Sequence, residues 1–242
     1  MIDKLRRSAC RREDQQGGAA LAETITFKRP DGADAPGWYD GPANAPGVVL
    51  IQEWWGLNDQ IKGIGQKLTG LGYRVLIPDL YRGRVAVEAA EASHLMDGLD
   101  FADAAKQDVC GAAQYLKGNG SARVAVMGYC MGGAVALLAA ITVPEVDAAV
   151  PFYGAPPGMA EQSRNVGIPV LGHFALKDGF FAPSMVREFE TNMKQSPAAA
   201  NVTFHFYEAG HAFCNEEGDA YDAEAAALAW DRTVEFLAQN LT

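Results

Sequence analysis

The chain is poor in cysteine and histidine, lacks any excess of positive charge, and contains no long apolar run. Its 20 lysines and arginines stand against 30 aspartates and glutamates, a formal charge of -10. No basic stripe offsets that balance, which argues against a nucleic-acid surface. No run of about 18 apolar residues occurs, so no membrane-spanning helix is expected. The cysteines at 10, 110, 130 and 214 form no C-x-x-C pair. That spacing fits neither a zinc site nor a disulfide framework, and points to a reducing, cytoplasmic compartment with no bound metal or cofactor. The first 16 residues carry five lysines and arginines but no apolar segment, so a signal peptide is not expected.

What is present reads as one globular domain. The hydrophobic share of 49% and charged share of 21% are ordinary for a folded protein, and 242 residues can bury a substantial core. Residues 1–18 read as a loosely ordered N-terminal arm and 19–242 as a single domain. Alternation of Ile25 and Phe27 with Thr24 and Thr26 predicts an antiparallel edge strand, paired with a short strand around 37–40. Apolar runs at 47–52, 74–77, 123–127, 148–153, 168–174 and 202–207 predict further strands, the central ones buried on both faces. Helical segments fall between them: one carrying Ile61, Ile64, Leu68 and Leu71, one over 86–117 broken near Gly98, one after Cys130, and one over 184–195. A closing helix should present Ala226, Trp230, Val234, Leu237 and Leu241 on one face. Strands alternating with helices imply an α/β fold with a mostly parallel central sheet covered on both faces.

The segment Gly128-Tyr129-Cys130-Met131-Gly132-Gly133 lies between a predicted buried strand and a predicted buried helix. A sharp strand-to-helix turn with glycines on both sides projects its central side chain above the sheet edge, as a nucleophile requires. A cysteine there also sits at a helix N-terminus, where the dipole favours thiolate. Asp178, in a Lys-Asp-Gly turn, and His211, in Ala-Gly-His-Ala-Phe, follow later predicted strands. Each of the three sits in a loop after a predicted parallel strand, which puts them at one sheet edge, in the chain order nucleophile, acid, histidine. His94, His173 and His205 fall within helix or strands and read as structural.

These residues resemble the dienelactone hydrolase family of α/β-hydrolases. The matching pieces are Ile51 to Leu57, Ile77 to Tyr81, Gly128 to Gly133, Phe152 to Gly154, and Ala209 to Phe213. The resemblance covers roughly residues 20–240. It implies Cys130 as nucleophile, His211 as base, Asp178 as orienter, and Glu53 as a carboxylate that helps convert a resting thiol to thiolate. It also implies an oxyanion hole from the backbone amides of Met131 and Trp54. Relatives acting on dienelactone hold the substrate carboxylate with two arginines, one after the Asp-Leu-Tyr segment and one four positions beyond the histidine. Here the first would be Arg82 or Arg84, beside Tyr81 and Trp55 as further contacts, and Asn215 stands at the second. The expectation is therefore a hydrolase of a small-molecule ester or lactone with a modest preference for carboxylated substrates. Two other readings stay open: a general carboxylesterase or thioesterase for neutral acyl groups, and a non-hydrolytic redox-sensing or binding protein.

Overall fold

The computed structural model describes residues 22–241; the N-terminal arm lies outside them. A hairpin of β1 (Glu23–Lys28) and β2 (Asp34–Asp40) starts the chain. The sheet continues with β3 (Gly47–Ile51), β4 (Arg74–Pro78), β5 (Val124–Tyr129), β6 (Ala148–Phe152), β7 (Val170–Lys177) and β8 (Val202–Gly210). The spatial order is β1-β2-β4-β3-β5-β6-β7-β8. From β3 to β8 the strands run parallel; only β2 is reversed, antiparallel to both of its neighbours, β1 and β4. This is the mostly parallel sheet that the alternation of strands and helices predicts, in the α/β-hydrolase order that the resemblance implies.

Burial follows the sequence logic. Strands β3 to β6 are buried along their whole length, because helices cover both faces and no face needs a polar side. The helices are α1 (Asp59–Gly70), α2 (Ala89–Asp97), α3 (Phe101–Asp103), α4 (Cys110–Gly118), α5 (Met131–Thr142), α6 (Pro183–Met193) and α7 (Ala223–Leu241). The break near Gly98 is real: the chain restarts at Asp100, whose side chain accepts from the amides of Ala102 and Asp103. Helix α5 is buried from Met131 to Ala140, the mark of a helix inserted between sheet and surface layers.

Helix α7 corrects one expectation. Its buried stripe is Ala229, Thr233, Leu237 and Leu241, an i, i+4 row that includes a polar residue and leaves Trp230 and Val234 half-buried. Thr233 belongs inside because it completes a buried polar network. Its hydroxyl donates to the carbonyl of Ala229 at 2.8 Å and lies 3.0 Å from His173 Nε2. His173 Nδ1 lies 2.8 Å from the Tyr207 hydroxyl, which also accepts from Arg232 at 3.1 Å. These roles leave one consistent tautomer: Nε2–H donates to Thr233 and Nδ1 accepts from Tyr207. Burial pushes the His173 pKa well down, so the ring is neutral.

Candidate active site

The carboxyl ends of four parallel strands deliver the site. Glu53 follows β3, Cys130 follows β5, Asp178 follows β7, and His211 follows β8. Cys130 occupies the sharp turn itself, with φ 53° and ψ -117°, and caps α5. Its amide donates to the carbonyl of Phe152 at 3.0 Å, and its own carbonyl accepts from Ala134 at 3.1 Å. The flanking glycines are required by contact. A side-chain carbon on Gly128 would overlap the carbonyl oxygen of Gly132, and one on Gly132 would lie 2.5 Å from the carbonyl oxygen of Gln52. The turn therefore tolerates a strained non-glycine residue only at its centre.

His211 bridges the other two members. Its Nε2 lies 3.1 Å from Cys130 Sγ and its Nδ1 lies 2.8 Å from Asp178 Oδ2. A carboxylate partner fixes the proton of the neutral ring on Nδ1, which leaves Nε2 free to accept from the thiol. The second oxygen, Asp178 Oδ1, accepts from the amides of Phe180 at 2.8 Å and Phe181 at 2.9 Å. Burial alone would raise the Asp178 pKa, but the bonds from His211, Phe181 and Phe180 outweigh it and hold it below the usual range.

Glu53 is almost fully buried yet doubly bonded. The Tyr153 hydroxyl donates to Oε1 at 3.1 Å and Asn215 Nδ2 donates to Oε2 at 2.9 Å. Burial raises its pKa against the pull of those two donors. Burial also pushes the Cys130 thiol up to about 12, and the Glu53 charge adds to the rise; the nearby Met131 amide works the other way. The helix dipole favours thiolate at this position, as the sequence suggests, but it does not decide the resting state. Loss of water outweighs the dipole, and the cysteine rests as a thiol.

A cavity of about 650 Å³ opens above these groups. Trp54 and Trp55 form one wall, their rings 5.1 Å apart at 66°. Phe180 and Phe181 stand over His211, with ring centres 4.8 and 5.7 Å from it. Of the remaining predicted substrate contacts, Tyr81, Arg82 and Arg84 fall elsewhere. Tyr81 is buried, its hydroxyl donating to Met131 Sδ at 3.1 Å, where it backs the turn without lining the cavity. Arg82 turns away: Nη2 lies 2.7 Å from Asp108 Oδ1 and Nη1 donates to the Asp79 carbonyl at 2.7 Å. Arg84 lines a separate cleft beside His94. Neither arginine reaches the Cys130 cavity, because a buried aspartate captures one and the loop carries the other past it. Asn215 does line the cavity, with one N–H of its side-chain amide given to Glu53.

Sequence reasoning missed Tyr153, whose hydroxyl holds Glu53 and whose backbone sits at φ 33° beside the turn. It also missed the two phenylalanines, since nothing local says that an Asp-Gly turn will fold its next residues over a histidine. Among the described residues, no group of three or more histidines, cysteines or acids is placed to hold a metal ion.

Fold and geometry together define an α/β-hydrolase. The model of the dienelactone hydrolase family matches residues 36–241. The chain belongs to that family and is a carboxylic ester hydrolase. It is 32% identical over 235 residues to the carboxymethylenebutenolidase of Pseudomonas putida, covering 90% of this chain and 97% of that one. It is 30% identical to protein usf of Aquifex pyrophilus over 236 residues, covering 92% and 100% of the two chains. Among solved structures it resembles a dienelactone hydrolase-like promiscuous phosphotriesterase from metagenomic libraries. That match has a TM-score of 0.81 and 25% identity, and covers 93% of this chain and 100% of that one.

Proposed function

We propose that the protein opens small esters or lactones through an acyl-cysteine intermediate, with Cys130, His211 and Asp178 as a catalytic triad. The observation that carries this reading is the continuous path Cys130 Sγ, His211 Nε2, His211 Nδ1, Asp178 Oδ2, with steps of 3.1 and 2.8 Å across the ring. His211 takes the thiol proton as Sγ attacks the acyl carbon. The resulting oxyanion accepts from the Met131 amide and from that of Trp54. Collapse breaks the ester C–O bond; His211 returns the proton to the leaving alkoxide, and a thioester to Cys130 remains. In a lactone the alkoxide stays tethered to the acyl group. His211 then deprotonates a water that attacks the thioester, and the carboxylic acid leaves with the thiol restored.

Glu53 sets when the thiol ionises. Held by Tyr153 and Asn215, its charge opposes a second negative charge on Cys130 and keeps the nucleophile neutral at rest. A neutral thiol resists oxidation and stray alkylation. When substrate enters, the same charge helps form the thiolate by stabilising the imidazolium that His211 becomes as it takes the thiol proton. The Pseudomonas putida relative, a carboxymethylenebutenolidase, supports the lactone as a substrate class.

The test is hydrolysis of 4-nitrophenyl acetate by Cys130→Ala and His211→Ala. Each variant should lose about a thousandfold or more in kcat/KM, since Cys130→Ala keeps only binding and the oxyanion amides and His211→Ala leaves the thiol without a base. A Cys130→Ala rate within tenfold of wild type would remove the nucleophile from this reading.

A further inference from the structure

Resting on the Cys130 reading, we infer that this cavity selects esters whose acyl group is neutral and flat or aromatic, and rejects those carrying a carboxylate. Beyond Cys130 and His211, the ionisable groups that line it are acids, Glu53 and Asp219. No lysine or arginine among the described residues lines it. The two arginines of the neighbouring loop are committed to Asp108 and the Asp79 carbonyl, or face the separate cleft. Asn215 brings no charge to an anion: one N–H of Nδ2 is given to Glu53, and Oδ1 accepts from the Glu217 amide at 3.0 Å.

An anion entering this space would lose water without finding a cation, and would face acids on the same wall. An aromatic ring meets the opposite circumstances. Trp54 and Trp55 supply one wall, and Phe180 and Phe181 supply a second above the histidine. Phe180 is 74% exposed and its ring centre lies 4.8 Å from that of His211, so an acyl group seated at the histidine can cover it. Its backbone is held by the hydrogen bond that its amide donates to Asp178 Oδ1, so the group that orients the histidine also sets the aromatic wall. Selectivity here is a difference between two acyl groups, created by what the cavity withholds from one of them.

The experiment compares 4-nitrophenyl methyl terephthalate with 4-nitrophenyl hydrogen terephthalate at pH 8. The two share leaving group and ring, and differ in one charge. Each kcat/KM is divided by the ester's own rate with hydroxide. The neutral ester should be favoured by about thirtyfold or more, given the cost of desolvating an unpaired carboxylate. Competitive inhibition should follow the same order, methyl benzoate binding more tightly than benzoate. A ratio near one, or a preference for the carboxylated ester, overturns the inference while leaving the Cys130 chemistry standing. Turnover of neither ester above the Cys130→Ala background overturns the Cys130 reading, and the inference with it.

Discussion

Asn215 donates its side-chain amide to Glu53 at 2.9 Å across 162 positions of sequence, and so holds a buried carboxylate with a neutral partner. With Tyr153 it supplies both donors that the carboxylate receives from side chains. Removing one should shift the Glu53 pKa further up, because the charged form loses a bond that the neutral form does not need. In Asn215→Leu the acid limb of the kcat/KM profile should therefore move to higher pH, with activity recovering as pH rises. An unmoved acid limb would show that Glu53 does not act through its charge.

The height of the Cys130 pKa makes a separate prediction. With the thiol pushed up to about 12, alkylation of the resting enzyme by iodoacetamide should be slow at pH 7 and should still be climbing above pH 9. A titration complete between pH 5 and 7 would mean a resting thiolate, and would contradict the role given to burial and Glu53.

Asp178 has two duties that substitutions can separate. Asp178→Asn keeps an oxygen for the amides of Phe180 and Phe181 but offers His211 the wrong charge. It should lose about a hundredfold or more in kcat with little change in Tm. Asp178→Ala should lose similar activity and, in addition, about 1–2 kcal/mol of stability as two amides lose their acceptor. Equal thermal stability of the two variants would deny the second duty.

Much of this frame was legible from residues alone, and the reason is topological. Continuous apolar runs identify strands β3, β5 and β6, and parallel strands joined by helices must end at one edge. Once Cys130 is placed in its turn, residues just after later strands must share its edge, which is why Asp178 and His211 could be matched to it. Side-chain direction was not legible in the same way. Whether Arg82 faces a ligand depends on Asp108, 26 positions away on another element, and no local pattern encodes that meeting. The same holds for Tyr153, whose partner Glu53 is 100 positions distant. In α7 the apolar pattern pointed to Trp230, whereas the buried row passes through Thr233 because His173 needs a partner. Periodicity counts apolar residues and cannot see a polar network.

That network sets a pH dependence of stability. The folded His173 pKa lies below the unfolded value of about 6.5, so the unfolded chain binds the proton first. The stability from neutral His173 is then fully present above about pH 6.5 and is lost as pH falls toward the folded pKa. His173→Gln should be less stable than wild type at pH 7.5, and the gap should narrow between pH 6.5 and 5 in urea unfolding. His205, whose pKa burial also lowers, is present in both proteins and cancels in the comparison. A gap that stays constant with pH would mean that His173 is not buried as the neutral ring.

The central claim is that Cys130 carries the acyl group. Mixing the enzyme with saturating 4-nitrophenyl acetate, quenching in acid within milliseconds, and digesting for mass spectrometry reads this directly. One acetyl group should appear on the peptide containing Cys130, labile to hydroxylamine and absent after quenching of Cys130→Ala. Full-rate turnover with the acetyl group on another residue would contradict the account.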